Sequence, residues 1–278
     1  MLKIYISVDF EGTNGVVYPH QVVNLGGESY YLAQKQQYEE LTCIIESLIE
    51  ANVDLITIND AHGSMENLHL SELSPKVQLI TGKPKPVSML AGLDKTYSCV
   101  FFADYHAKAG SLNAVLAHTF STIFNTVKLN NNLIGEIELN AIYAGLLDVP
   151  VAFLTGDNIT CSQAINAIGN IKTVCTKTAI STTAAICRPN EELFRDLKNS
   201  VLDTLQNPQN WSLYKETSPY ILELEFVDRK LADIAELLPG IERLSSNSVI
   251  FRSGCYLEIY KLLQFFAATL SLSKIIGF

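Results

Sequence analysis

The chain predicts an α/β protein: a mostly parallel sheet with flanking helices, plus a smaller C-terminal α/β domain. Three observations predict it. Short runs rich in β-branched and aromatic residues, without helical period, read as buried strands. Stretches of helical composition alternate with them over roughly the first 155 residues, the pattern of a parallel sheet. Polar groups follow strand after strand, at the carboxyl end where such sheets bind ligands.

In order, residues 2–8 (LKIYISV) form the first strand and end in Asp9-Phe10-Glu11-Gly12. The segment 13–29, with Gly15, Pro19 and Gly26-Gly27, reads as a long loop. Residues 30–51 read as a helix with Leu41, Ile44, Ile45 and Leu48 on one stripe. The strand 53–58 ends in Asn59-Asp60-Ala61-His62-Gly63, and a short strand follows at 77–80. Residues 98–103 make a strand ending in Asp104-Tyr105-His106, and residues 114–117 lead into His118. Residues 126–129 and 133–134, joined by three asparagines, resemble a hairpin. Glu136 opens a helix to 147, before a strand at 149–154 that ends at Gly156-Asp157.

Beyond that point the expected elements are a helix at 161–168, a strand at 172–175 and a Thr/Ser-rich loop at 176–183. A helix at 190–205 carries Glu191 and Glu192 in its first turn, favourable to the helix dipole. Strands at 220–226 and 248–252, a helix at 229–238 and a final helix at 256–270 complete the chain. We therefore expect a metal-binding catalytic domain over 1–157, and over 158–278 a smaller α/β domain or an oligomerisation layer.

At 278 residues the chain can bury a large core. Its net charge of −9 argues against nucleic acid or an anionic membrane as general partner. Asp9 interrupts the first apolar run, so it makes a poor signal peptide. The apolar window 262–276 contains Gln264, Ser271, Ser273 and Lys274 and reads as a buried terminal helix rather than a membrane span. Six scattered cysteines with no Cys-x-x-Cys pair suit a reduced, cytoplasmic protein. HExxH, GxSxG, Walker A and GxGxxG patterns are all absent, which removes the commonest protease, hydrolase and nucleotide readings.

The chemistry gathers at the first strand end. Asp9 and Glu11 lie two apart, so they point the same way if the strand continues. Two neighbouring carboxylates repel and need protons or cations to compensate, which makes them a metal cradle or, in the plainer alternative, a solvated strand end. All five histidines (His20, His62, His69, His106, His118) fall in the first 118 residues. His62 and His106 each follow a strand and can converge on the acid pair; imidazole with carboxylate suits zinc, manganese and related ions. Asp60 and Asp104 are either partners orienting those histidines or turn formers. His20 and His69 have no assigned role, and His118 by itself reads as structural.

Asp9-Phe10-Glu11-Gly12, Asn59-Asp60-Ala61-His62, Tyr105-His106-Ala107, His118 and Gly135-Glu136-Ile137-Glu138-Leu139-Asn140 stand in an order and spacing that resembles the zinc-dependent D-aminopeptidases of the bacterial dipeptide-transport operon. The resemblance is dense to about Asp157 and weaker beyond. It implies two Zn2+ per subunit, or another divalent metal, with Asp9 bridging, Glu11 and His62 on one ion, and His106 and Glu136 on the other. It implies that His118 is the catalytic histidine, and that the substrate is a short peptide whose N-terminal residue, a D-residue by the resemblance, is hydrolysed off by a metal-activated water. It also implies a homo-oligomer, a homodecamer. Glu136 enters only through the resemblance, since an acid in a helix's first turn is ordinarily a dipole partner.

The chain departs from the family where Gln34, Gln37 and Tyr38 replace an Arg and a Met-Thr pair, and where Asp104 replaces a small residue before Tyr105-His106. These changes bear on D-specificity and preferred peptide more than on the metal site. Tyr105 reads equally as a packing aromatic or a substrate contact. Two alternatives stay open: a two-metal hydrolase of another amide or ester, for which Lys108 is the local phosphate-binding candidate, and a non-catalytic peptide-binding protein of dipeptide uptake.

Overall fold

The computed structural model describes residues 1–25 and 27–276, without the side chains of 271–276. Gly26 of the expected Gly-Gly turn, and the side chains at the end of the apolar terminal window, lie outside them. The elements in chain order are β1 (Lys3–Val8), α1 (Glu28–Glu50), β2 (Leu55–Asp60), β3 (Val77–Ile80), β4 (Cys99–Tyr105), β5 (Phe124–Leu129), β6 (Asn132–Leu133), α2 (Glu136–Leu146), β7 (Val151–Asp157), α3 (Asn158–Ile168), β8 (Lys172–Ser181), β9 (Ala184–Cys187), α4 (Asn190–Gln206), β10 (Tyr220–Phe226), α5 (Arg229–Ala235), β11 (Ile241–Arg243), β12 (Ser248–Ser253) and α6 (Tyr256–Ile276).

They form two compact units. The first comprises residues 1–107, 112–116 and 140–215. Its sheet runs β3-β2-β1-β4-β7-β8-β9, parallel except for β9, which returns antiparallel to β8. The central strands β1, β4 and β7 are buried along nearly their whole length, as parallel strands covered on both faces are. Ile4, Ile6, Val8 and Phe101 pack with Leu41, Ile44, Ile45 and Leu48 of α1 and with Leu193, Leu197 and Val201 of α4. The expected α1 stripe is thus the core-facing one. Gln37 and Glu40 also lie on its buried side, where polar groups need partners.

The second unit comprises residues 108–111, 117–139 and 216–278. Its antiparallel sheet runs β11-β12-β10-β5-β6, with the expected hairpin between β5 and β6. β10 alternates buried and half-buried residues, as a sheet with one covered face should. On α6 the buried residues Tyr256, Ile259, Tyr260, Leu263, Phe266 and Leu270 fall on one helical face.

One expected loop is a strand. Residues 176–183 continue β8 to Ser181 and turn into β9, pairing Lys177 with Cys187 and Thr178 with Ile186. Threonine is β-branched and favours a pleated surface, so the Thr/Ser-rich composition was compatible with pairing all along. Among the described residues no helix is long and apolar enough to cross a membrane.

Candidate metal centre

In the first unit β2, β1 and β4 are neighbours, and their carboxyl ends are level: Val8 pairs with Asp60 on one side and Ala103 on the other. Residues that follow these three strands therefore meet. Asp9, Glu11 and His62 each offer a ligand atom within 4.8 Å of the others. His62 Nδ1 is 2.9 Å from Glu11 Oε2 and 3.2 Å from Asp9 Oδ1. His106 Nε2 is 3.3 Å from Asp9 Oδ2. Asp9, Glu11 and His106 are buried and His62 nearly so.

The second nitrogen of each imidazole is tied elsewhere. His62 Nε2 lies 2.8 Å from the Val22 carbonyl, and His106 Nδ1 lies 3.0 Å from the Ala107 carbonyl. A carbonyl can only accept, so these nitrogens carry the proton and donate. The opposite nitrogen of each ring faces the acids, and with a metal cation there in place of a proton it would offer the lone pair by which histidine ligates. The Phe10 ring stands edge-on to His62, with centroids 5.5 Å apart, and further fixes the imidazole plane.

Burial alone would lower the His62 pKa, but Glu11 and then Asp9 outweigh it and hold it well above the ordinary imidazole value. The carboxylates thus draw positive charge to this point, whether a proton on His62 or a metal cation. Carboxylate oxygens and imidazole nitrogens in this arrangement fit zinc or a similar divalent ion.

The turn carrying both acids is held by its backbone. Asp9 N donates to Ala103 O at 2.9 Å and Gly12 N to Asp104 O at 2.8 Å. Gly12 packs so close to β4 that a Cβ there would lie 2.3 Å from the Asp104 carbonyl carbon. Below the turn is a buried charge cluster. Lys177 Nζ donates to the carbonyls of Glu11 and Thr13, both at 2.6 Å, and Thr176 Oγ1 donates to the Gly12 carbonyl at 2.5 Å. Burial lowers Lys177 to about 8, raises Asp104 to about 6 and pushes Glu40 well above the usual carboxylate range.

The other candidates have assignable partners. The Asp60 carboxylate accepts from the backbone of Asn67 and Leu68 and shapes that turn. Asp104 sits at φ +59°, a left-handed conformation that Asp tolerates better than most residues, and accepts from Thr155 Oγ1 at 3.1 Å. Tyr105 is fully buried, stacks on Phe102 and bonds Ser7 and Asn140 through its hydroxyl, so it packs. Gln37 donates to the Asp9 carbonyl at 2.5 Å, Gln34 to the Asn67 carbonyl, and the Tyr38 hydroxyl accepts from His69 N. His20 stacks obliquely on Tyr18 at the surface.

Glu136 and His118 belong to the second unit. Glu136 is buried at the start of α2 and accepts from Phe120 N at 2.6 Å, two residues beyond the half-buried His118. Lys108, in the same unit, is committed to Glu138 and the Leu133 carbonyl. Sequence reasoning marked Gln37 only as a departure bearing on specificity, and missed the roles of Thr176 and Lys177. No local signal marks them, because each acts on backbone brought close only by the fold.

A family model described as D-aminopeptidase matches residues 2–265. The chain belongs to the D-aminopeptidase family. Its membership makes it an enzyme, a peptidase that hydrolyses peptide bonds. It is 32% identical over 261 residues to a D-aminopeptidase of Bacillus subtilis (strain 168), covering 94% of each chain. It is also similar to the solved structure of DppA from Bacillus subtilis, described as a Zn-dependent D-aminopeptidase and a self-compartmentalizing protease. That match has a TM-score of 0.91 at 30% identity, and covers 96% of this chain and 98% of the other.

Proposed function

We propose that this D-aminopeptidase family member is a binuclear-zinc aminopeptidase that removes the N-terminal residue, a D-residue such as D-alanine, from short peptides. One observation carries the metal reading: His62 and His106 each give one nitrogen to a backbone carbonyl and aim the other at Asp9. Asp9, Glu11, His62 and His106 are the proposed ligands of the first unit. Glu136 is proposed as a further ligand and His118 as the catalytic histidine on the strength of the family motif.

Bound ions would bring the pKa of a water toward neutrality and polarise the scissile carbonyl. The chain's own groups do the rest. The Val22 and Ala107 carbonyls hold both imidazoles in the tautomer that can ligate. Gln37, through the Asp9 carbonyl, keeps the shared acid from swinging away. His118 hands a proton to the leaving amine, work for which imidazole is suited near neutral pH. Lys108, the phosphate-binding candidate, is already paired with Glu138, which disfavours a phosphate ester as substrate. The relative's self-compartmentalizing character supports a homo-oligomer here, a decamer by family resemblance.

Purified protein supplied with zinc should release D-alanine from D-alanyl peptides and leave the L-isomers largely intact. His118→Ala should keep its zinc and lose turnover. Light scattering should give the mass of a decamer. Zinc-loaded protein inert toward both D- and L-peptides would overturn the assignment.

A further inference from the structure

Four of the five residues of the Asp9–Thr13 turn have their carbonyls held by side chains. Gln37 takes Asp9, Thr176 takes Gly12, and Lys177 alone takes both Glu11 and Thr13. Lys177 is fully buried, and a single ammonium spans the carbonyls on either side of Gly12. It faces Glu40, Asp157 and Asp104, three acids contributed by α1 and by the ends of β7 and β4. A buried lysine in such company admits two explanations. It can simply neutralise the acids, or it can set the geometry of the turn.

We infer that Lys177, with Thr176, is a positioning residue that orients the Glu11 carboxylate for metal by clamping the carbonyls of the Asp9–Thr13 turn. This rests on the proposal that Asp9 and Glu11 bind metal. Charge balance alone needs no particular direction, yet Nζ approaches two carbonyls at 2.6 Å while Thr176, its neighbour on β8, closes the gap between them. The Glu11 peptide cannot rotate without breaking the Lys177 bond. Its side chain, which projects from the same backbone, is thereby aimed at His62 Nδ1. The extension of β8 past residue 175 is what delivers both side chains, so strand and site are coupled.

Zinc affinity, read by competition with a chromogenic chelator, separates the two explanations. Lys177→Met should weaken zinc by about ten- to a hundredfold, as loss of a group orienting a ligand does. The double variant Lys177→Met with Asp104→Asn, which removes one charge of each sign, should recover thermal stability and leave zinc equally weak. Thr176→Val, which removes no charge, should weaken zinc in the same direction and alter the visible spectrum of the cobalt-substituted protein. Recovery of wild-type zinc affinity in the double variant, with Thr176→Val unchanged in affinity and spectrum, would overturn the inference and leave charge balance. Failure of the metal reading looks different: wild type would then bind zinc no better than His106→Ala.

Discussion

Gly12 is the residue on which the turn depends most directly. An alanine there places its Cβ 2.3 Å from the Asp104 carbonyl carbon and 2.4 Å from the Tyr105 carbonyl oxygen, both backbone atoms of a central strand. Neither can step aside as a flexible side chain would. Gly12→Ala should therefore cost about 3 kcal/mol or more, the upper end for an overpacked site. It should also lower zinc content, because the displaced backbone carries Asp9 and Glu11. Thermal unfolding with metal analysis checks both; a stable variant with full zinc would show that β4 yields more easily than its buried position suggests. At this scale the sequence was informative where a residue acts with its own side chain at a strand end. Asp9, Glu11, His62 and His106 could be expected to meet because strand ends in a parallel sheet share one edge. Lys177 could not, since a lysine among threonines reads as solvated until the strand's neighbours are known. Glu136 came through the family motif alone, because its place in a helix's first turn has a common electrostatic explanation.

α1 shows how one element serves both core and site. Its lower turns present Leu41, Ile44, Ile45 and Leu48 to the sheet, a stripe readable from spacing. Its upper turns turn Gln37 and Glu40 inward on the same face, where composition suggests only an ordinary polar helix. Tyr30, in the first turn, is buried with its hydroxyl on Asn67 Oδ1 at 3.0 Å and its ring edge-on to Phe10. Burial, and then the Asp60 charge, raise its pKa from 10.0 to about 12. The unfolded chain ionises this phenol near pH 10 while the fold still holds the proton. Its stabilising share is therefore complete below pH 10 and is lost as pH rises from 10 to about 12. Allowing for screening by nearby solvent, that share is about 1–2 kcal/mol. Urea midpoints at about pH 9 and pH 11.5 test it against Tyr30→Phe, which cannot ionise. Wild type should fall further than the variant, and parallel curves would show that the phenol titrates alike in both states.

Over the whole molecule, contributions to one site come from far apart in the chain. Residues 9, 11, 37, 62, 106 and 177 converge in the first unit, and the second unit is assembled from three separate stretches. Such interleaving leaves no single change of composition to mark where one unit ends. It has a thermodynamic consequence. The proposed ligands at the β1, β2 and β4 ends are brought together only in the folded chain, so on the proposed reading zinc would bind the native state and add its binding free energy to stability. At free zinc a hundredfold above Kd the gain is about 2.7 kcal/mol. For a chain of this size it should raise Tm by roughly 5–10 °C. A chain of net charge −9 also attracts cations without a site, so magnesium at equal concentration is the control. The zinc shift should exceed the magnesium shift by most of that range and should shrink markedly in His106→Ala. An equal response to both ions, or a full zinc shift in the variant, would place the stabilisation on surface acids rather than at the strand ends.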